Sequence, residues 1–330
     1  MKPDLLMMGP LHAPTQARLE ALYTTHRYDL AADKPAFLAQ AAAAGHTAMA
    51  TRGDYRITDE LLAQLPALRL IASFGVGHDG IDTPAASRRG IVVTNTPDVL
   101  SECVADATWA LILSTVRRTV WQDRFVREGR WPRGPAPLTG KVWGERLGIV
   151  GLGRIGKAIA RRAEGFGMSV AYSGRRRQAD VAFDYVPDVT ALARASTVLV
   201  VATPGGPETQ GLIGAGVIQA LGPEGYLINI SRGSTVDEVG LLAALGSGQL
   251  AGAGLDVFQG EPHVNPAFFE LPNVVLQPHA ASATHHTRQA MGQLLLDNLA
   301  AYAEGRPVLT PVGADPVSYT HLRAHETKAN

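Results

Sequence analysis

The chain has 330 residues, of which 46% are hydrophobic and 18% charged, with 30 basic (Lys and Arg) and 30 acidic (Asp and Glu) residues. This length allows two domains with separate cores, and the composition excludes a disordered protein. Because the net charge is zero, nothing draws the chain to nucleic acid or to an anionic membrane, so we expect a small-molecule substrate. No stretch approaches the roughly 18 apolar residues that cross a bilayer, and the short apolar run near the start is typical of a strand, so we expect a cytoplasmic protein.

Residues 1–98 alternate short apolar runs with helical patterns, from DLLMMG (4–9) to RGIVVTNTP (89–97). This alternation predicts a small α/β unit. A long helix, predicted to begin at Ser101 and to run to about residue 120, carries the single cysteine, Cys103, for which we expect a packing role rather than a catalytic one. An arm rich in proline and glycine, GRWPRGPAPLTG (129–140), follows this helix.

The segment IVGLGRIG (149–156) contains the pattern GxGxxG, with Gly151, Gly153 and Gly156 between a predicted strand and a predicted helix. Glycine at these places allows a sharp turn, a close approach of bare backbone to a pyrophosphate, and tight packing of the helix on the sheet. The helix that starts with Arg154 and Ile155 would point its unpaired N–H groups at the anion. We predict a dinucleotide site here, and an ordinary glycine-rich turn is the alternative.

Strand and helix patterns then alternate to about residue 286, and a last helical pattern, TRQAMGQLLLDNLAAYAEG (287–305), comes after them. We predict a dinucleotide domain of residues 99–286 and a discontinuous substrate domain of residues 1–98 and 287–315. Residues 316–330 lose the apolar period, and VSYTHL resembles a translated frame of a sequencing-library adaptor. We therefore expect a non-native tail, exclude His321 and His325 from any metal site, and predict no metal.

Three polar residues follow predicted strands of the second half: Arg232 after YLINIS, Glu261 after GLDVF and His279 after NVVLQP. In an open parallel sheet these strand ends face the ligand crevice. An arginine matches a carboxylate with two hydrogen bonds, and a histidine kept charged by a nearby carboxylate can protonate a developing alkoxide. The set suits reduction of a 2-keto acid. Singly, each has an ordinary alternative: a surface charge, a solvated residue before proline, and a core histidine.

Six segments resemble, in order, the D-isomer-specific 2-hydroxyacid dehydrogenases, over nearly the whole chain to about residue 312. They are FGVGHDGID (74–82), NTPDVL (95–100), IVGLGRIG (149–156), NISRGSTVDE (229–238), GLDVFQGEP (254–262) and QPHAAS (277–282). Within that family the chain is most similar to glyoxylate and hydroxypyruvate reductases. The resemblance implies an α/β fold, with a Rossmann doubly wound parallel sheet domain inserted in a smaller flavodoxin-like α/β substrate domain.

The resemblance also implies roles for single residues. Arg232 would bind the substrate carboxylate, assisted by the backbone N–H groups of Val76 and Gly77. His279 would be the acid/base and contact the substrate, and Glu261 would orient it.

Other implied residues serve the cofactor and the assembly. Asp256 would lie near the nicotinamide amide, and Thr203 and Pro204 near the adenosine. A homodimer is implied as well, in which Trp131 resembles the aromatic side chain that some relatives send into the neighbouring subunit's pocket. A packing role for Trp131 is the alternative.

The strand after the glycine loop departs from the pattern of NAD enzymes, which place an acid about 20 residues after GxGxxG. Ser173 stands there, and Arg175, Arg176 and Arg177 follow it. This run favours a 2′-phosphate, so we predict NADPH, with NADH possible and a solvated basic turn as the alternative.

These observations together predict an NADP-preferring reductase that converts glyoxylate, hydroxypyruvate or a related small 2-keto acid to the D-2-hydroxy acid. One alternative is a dehydrogenase for a larger 2-keto acid. The other is a dinucleotide-sensing binding protein, like the transcriptional co-repressors that share this fold.

Overall fold

The computed structural model describes residues 2–313, which form two units. Unit 1 comprises the described residues of Met1–Leu100 and Thr284–Asn330, and unit 2 comprises Ser101–Ala283. The domain ends predicted at 98 and 286 lie within three residues of these boundaries. The predicted tail, residues 316–330, lies outside the described residues.

Unit 1 is built on a parallel sheet of five strands in the order β2-β1-β3-β4-β5. The strands are β1 (Asp4–Met7), β2 (Thr24–Arg27), β3 (Ala48–Arg52), β4 (Leu70–Phe74) and β5 (Val92–Thr94). This order is that of flavodoxin-like sheets, as the resemblance implies. The helices are α1 (Ala13–Leu22), α2 (Lys34–Ala44), α3 (Asp59–Ala63), α4 (Thr83–Arg88) and α11 (His285–Ala303).

The core of unit 1 lies on its central strands. Every residue of β4 is buried, which explains why LIASF is apolar at every position except Ser73 instead of alternating between apolar and polar residues. The last helix, α11, packs against β4 and α1, so the end of the described chain completes this unit.

Unit 2 is built on a parallel sheet of seven strands in the order β12-β11-β10-β9-β6-β7-β8. The strands are β6 (Arg146–Val150), β7 (Ser169–Ser173), β8 (Asp184–Tyr185), β9 (Val198–Val201), β10 (Tyr226–Asn229), β11 (Gly252–Leu255) and β12 (Val274–Leu276). The chain order reverses between β6 and β9, which is the topological switch point of a Rossmann sheet. The predicted fold class is therefore confirmed.

The helices of unit 2 cover this sheet. They are α5 (Ser101–Val116), α6 (Thr119–Arg127), α7 (Arg154–Glu164), α8 (Val189–Ala195), α9 (Ala215–Leu221) and α10 (Glu238–Ser247). Side chains of the strands and of α8, α9 and α10 form one large buried cluster. No helix within residues 2–313 combines the length and apolarity needed to span a bilayer.

The single long helix predicted from Ser101 is in fact two helices. Arg118, which lies between α5 and α6, has a left-handed backbone (φ 52°) that interrupts the helical hydrogen-bond pattern. Helix α5 packs closely on β11, where a Cβ on Gly254 would lie 2.7 Å from Oγ1 of Thr115. The small residues of AGAGL thus allow the helix to approach the sheet.

Candidate active site

The loops after β11 and β12 bring Glu261 and His279 together. Nδ1 of His279 lies 2.7 Å from Oε2 of Glu261, and Oε1 of Glu261 accepts the N–H of Phe258 at 2.8 Å. Burial raises the pKa of the Glu261 carboxyl, but these two hydrogen bonds and the charges of His279 and Arg232 outweigh it, so the pKa is lowered. An ionised Glu261 fixes a proton on Nδ1, which leaves Nε2 of His279 to exchange a proton with a substrate.

His279 has a left-handed backbone, with φ of 51°, which is uncommon for a residue with a side chain. Its N–H donates to the carbonyl of Asp256 at 2.8 Å. The Asp256 carboxylate, 1% exposed, accepts the N–H groups of Ala280 at 2.7 Å and Ala281 at 3.1 Å. Burial raises the pKa of Asp256 more than these hydrogen bonds lower it. Asp256 therefore holds the His279 loop, and its predicted place near the nicotinamide stays a prediction.

Arg232 follows β10 on a loop that is held by hydrogen bonds from buried side chains. Its carbonyl accepts hydrogen bonds from Nδ2 of Asn229 at 3.0 Å and Oγ1 of Thr235 at 2.6 Å. Its Nη1 donates to the carbonyl of Ser231 at 2.8 Å. Since Asn229, Ser231 and Thr235 are buried and bonded to one another, the start of the Arg232 side chain is well positioned.

Gly233 lets the Arg232 loop lie against the Glu261 loop. A Cβ there would stand 1.9 Å from the carbonyl carbon of Phe258, so only glycine fits. Nε2 of Gln259 also donates to the carbonyl of Val236 at 2.9 Å, which joins the two loops a second time. In the sequence, Gly233 stands out only as part of NISRGSTVDE, because nothing local indicates this contact.

The glycine loop after β6 uses its three glycines differently. Gly151 has φ of 97°, and a Cβ on it would lie 2.8 Å from the carbonyl oxygen of Ala202. A Cβ on Gly156 would lie 2.4 Å from the Gly151 carbonyl oxygen, so helix and turn touch. Around Gly153 no atom of the described residues lies within 4 Å of such a Cβ, which leaves room for a ligand at the bare backbone.

Helix α7 begins directly after this loop, at Arg154, which is exposed. Within residues 2–313 the backbone N–H groups of Ile155 and Gly156 find no acceptor, as expected for a first helical turn. The end of this helix can therefore bind an anion.

Thr203 and Pro204 follow β9, across the switch point from the glycine loop. The Thr203 Cγ2 atom lies 3.0 Å from where a Cβ on Gly151 would be. Its Oγ1 is buried and has no hydrogen-bond partner in the described part of the chain, whereas Pro204 is exposed. An unsatisfied buried hydroxyl beside the glycine loop fits a site for a polar ligand.

The basic run after β7 divides into a buried and an exposed part. Ser173 is 3% exposed and donates its Oγ proton to the carbonyl of Pro187 at 3.1 Å. Arg175, Arg176 and Arg177 are exposed, and none of them forms an ion pair or side-chain hydrogen bond with another described residue. The arginines, rather than Ser173, are thus available to a phosphate.

Gln178 ties this basic run to the glycine loop. Its Nε2 donates to the carbonyl of Leu152 at 2.7 Å, and its N–H donates to the Tyr172 hydroxyl at 2.7 Å. In addition, Nζ of Lys157 on α7 donates to Oδ2 of Asp180 at 2.6 Å. Gln178 could not be predicted from the sequence, since the only signal is its position just after three arginines.

Val76 and Gly77 belong to unit 1, on the turn after β4. The carbonyl of Val76 accepts Nδ2 of Asn95 at 2.9 Å, and a Cβ on Gly53 would lie 1.7 Å from the Gly77 carbonyl oxygen. In the described chain neither the Val76 nor the Gly77 N–H has an acceptor. This packed turn therefore presents two adjacent N–H groups, an arrangement that binds anions.

Comparison with known proteins identifies the family. The sequence model of one protein family, the D-isomer specific 2-hydroxyacid dehydrogenase NAD binding domain, matches residues 109–281. The chain belongs to this family.

Individual relatives cover nearly the whole chain. It is 42% identical to the 2-ketogluconate reductase of Gluconobacter oxydans, over 94% of this chain and 99% of that protein. It is 44% identical to a glyoxylate/hydroxypyruvate reductase of Arabidopsis thaliana, over 93% and 98%. Among solved structures, the NADPH-dependent glyoxylate/hydroxypyruvate reductase from Sinorhizobium meliloti, in complex with NADP and malonate, has a TM-score of 0.86 and 42% identity over 95% and 97% of the two chains.

Proposed function

We propose that this dehydrogenase uses NADPH to reduce glyoxylate, hydroxypyruvate or a similar small 2-keto acid to the D-2-hydroxy acid. The observation that carries the proposal is the 2.7 Å contact between His279 and Glu261, next to the Arg232 loop and on the sheet that carries the glycine loop. Two of the relatives named above are glyoxylate/hydroxypyruvate reductases, one of them NADPH-dependent, which supports the substrate class and the cofactor.

Several groups fit a bound NADPH. The open backbone at Gly153 and the N–H groups of Ile155 and Gly156 suit its pyrophosphate, and the buried Thr203 Oγ1 lacks a partner within residues 2–313. Arg175 and Arg176 suit the 2′-phosphate, which NADH lacks. When bound, NADPH supplies a hydride to the keto carbon.

The chain's own residues bind and protonate the substrate. Arg232 holds the carboxylate with its guanidinium. His279 gives its Nε2 proton to the oxygen that becomes the hydroxyl. Glu261, ionised because its pKa is lowered, stabilises the imidazolium before that transfer.

A substrate panel tests the proposal. Purified protein is mixed with NADPH or NADH and with glyoxylate, hydroxypyruvate, hydroxyphenylpyruvate or 2-ketogluconate, and the loss of nicotinamide absorbance is followed. We expect the highest kcat/KM with NADPH and glyoxylate or hydroxypyruvate, and a kcat about 10²- to 10⁴-fold lower in His279→Ala, with NADPH affinity retained. A clear preference for 2-ketogluconate would support the larger-substrate alternative, and dinucleotide binding without turnover would support the sensor.

We also propose that the protein works as a homodimer. Among the described residues, five exposed large apolar side chains fall within one short stretch of chain: Val120, Val126, Trp131, Leu138 and Trp143. Trp131 and Leu138 line a groove together with residues of α6. The same stretch of chain therefore has both exposed apolar side chains and a groove that could receive them from a second copy. A surface with both is self-complementary across a two-fold axis.

A cytoplasmic location is the last part of the proposal. A single cysteine cannot form a disulfide within the chain, so the fold needs no oxidising compartment. Cell fractionation with an antibody against the protein tests this, and recovery with secreted or membrane fractions would contradict it.

A further inference from the structure

Three side chains that can bind a metal meet in unit 1, where β1 begins. Asp4 is the first residue of β1, His26 lies on the neighbouring strand β2, and His46 lies between α2 and β3 on the other side of β1. Each offers one ligand atom, and all three atoms lie within 4.8 Å of one another. The predicted substrate-binding turn of Val76 and Gly77 follows the opposite, carboxyl end of the sheet, so this cluster is a separate site.

The cluster contains an imidazole nitrogen that is not satisfied. Oδ1 of Asp4 lies 2.8 Å from Nε2 of His26, and the His26 and His46 rings are 4.5 Å apart between centroids. His46 is 7% exposed, and its Nδ1 is buried with no hydrogen-bond partner in the described part of the chain. Leaving a buried polar nitrogen unpaired is costly, so proteins rarely retain one without a reason.

We propose that Asp4, His26 and His46 bind one Zn²⁺, with water as the fourth ligand. Two imidazoles and one carboxylate are a zinc ligand set, whereas Mg²⁺ and Ca²⁺ take oxygen ligands. Zinc bonds of about 2.0–2.1 Å in a tetrahedron place ligand atoms roughly 3.3 Å apart. Since the present separations run from 2.8 Å to at most 4.8 Å, small side-chain rotations bring the three atoms to that spacing.

The ion would tie three segments together. Through His26 and His46 it links the edge strand β2 and the connection before β3 to Asp4 on β1. Zinc binding displaces the proton of the hydrogen bond between Asp4 and His26. Zinc is therefore a stabilising ligand of unit 1 and takes no part in the proposed hydride transfer.

Zinc titration of the whole, chelator-stripped chain tests the proposal. Bound Zn²⁺ is counted by equilibrium dialysis, and Tm is measured with and without ZnCl₂, for the wild type, His26→Ala, Asp4→Asn and His46→Ala. His286→Ala, which removes an exposed histidine outside the cluster, is the matched control. Every other histidine, including His321 and His325, stays in place, so a difference between variants reports on the cluster alone.

We expect the wild type and His286→Ala to bind one more Zn²⁺ per chain than the three cluster variants. At a hundredfold excess over Kd, Zn²⁺ should raise their Tm by roughly 5 °C, and Mg²⁺ should not. Because Asp4 and His26 are partly exposed, their variants fold even if His46→Ala does not. Equal zinc counts and equal Tm shifts in wild type, Asp4→Asn and His26→Ala would overturn the proposal.

Discussion

His279 is held by contacts on two sides. Its imidazole is fixed by Glu261, and its left-handed backbone is fixed by Asp256, whose carboxylate accepts the next two N–H groups. Strained backbone of this kind persists only where surrounding contacts compensate for it. The imidazole that we propose as proton donor is thus placed before substrate arrives.

The pH dependence of reduction should follow from Glu261. Because its pKa is lowered, Glu261 is ionised above that value and loses its charge only as pH falls through it, below the ordinary range of a glutamate. We expect no loss of activity from this group between pH 5 and 7. In Glu261→Gln the carboxylate no longer stabilises the imidazolium, so kcat, measured between pH 5 and 7, should drop roughly tenfold or more.

Glu270→Gln, which removes an exposed carboxylate of the same connection, is the control for that measurement. If Glu261→Gln and Glu270→Gln both kept the wild-type kcat between pH 5 and 7, Glu261 would have no part in proton transfer.

Arg232 should not tolerate lysine. A guanidinium donates two parallel hydrogen bonds to a carboxylate, whereas an ammonium is a single point charge. Arg232→Lys should lower kcat/KM by about 10- to 100-fold, a loss of one strong hydrogen bond or slightly more. Steady-state kinetics with glyoxylate measure it, with Arg194→Lys, an exposed arginine on α8, as control. Wild-type kinetics in Arg232→Lys would argue against two-point binding.

At the scale of elements, we expect the connection after β7 to decide between the two cofactors. Ser173 is buried and donates to Pro187, so the exposed guanidinium groups of Arg175 and Arg176 are the groups that can contact a 2′-phosphate. Gln178 bonds the end of this run to the glycine loop, which limits how far the arginines move.

Removing both arginines should therefore change cofactor use without changing the chemistry. In Arg175→Ala/Arg176→Ala, kcat/KM for NADPH should fall roughly 10- to 100-fold, because a charge-assisted pair contributes about 1.5–3 kcal/mol, while the value for NADH stays the same. Added salt should weaken NADPH binding to the wild type more than NADH binding. Arg194→Ala serves as control. If the ratio of kcat/KM for NADPH to that for NADH were the same in Arg175→Ala/Arg176→Ala as in the wild type, the basic run would be an ordinary solvated turn.

At the scale of the whole molecule, the stretch of residues 120–143 should control assembly. Leu138 is 98% exposed, so placing a carboxylate there costs the single chain nothing but introduces a charge into an apolar interface. Leu138→Asp should shift the protein from the mass of two chains to the mass of one in sedimentation velocity. Leu30→Asp, at an apolar residue 72% exposed on unit 1, should remain dimeric. If the wild type sedimented with the mass of one chain, the proposal of a homodimer would be wrong.

Much of this protein could be predicted from the sequence, because its strongest signals are local. The pattern of Gly151, Gly153 and Gly156 follows from what a turn, a phosphate and a helix contact require of neighbouring residues. Arg232, Glu261 and His279 could be found because parallel strands end at one edge, so residues after successive strands lie near each other without any knowledge of distances.

The tertiary structure decided what depends on contacts between distant parts of the chain. The close approach of Gly233 to Phe258, the tie from Gln178 to Leu152 and the burial of Ser173 arise from how loops pack, which no local pattern encodes. The same is true of Asp4, His26 and His46, which come together only because β2 and β3 flank β1 in the sheet. Strand order is set by the burial of whole faces, and it decides which distant side chains become neighbours.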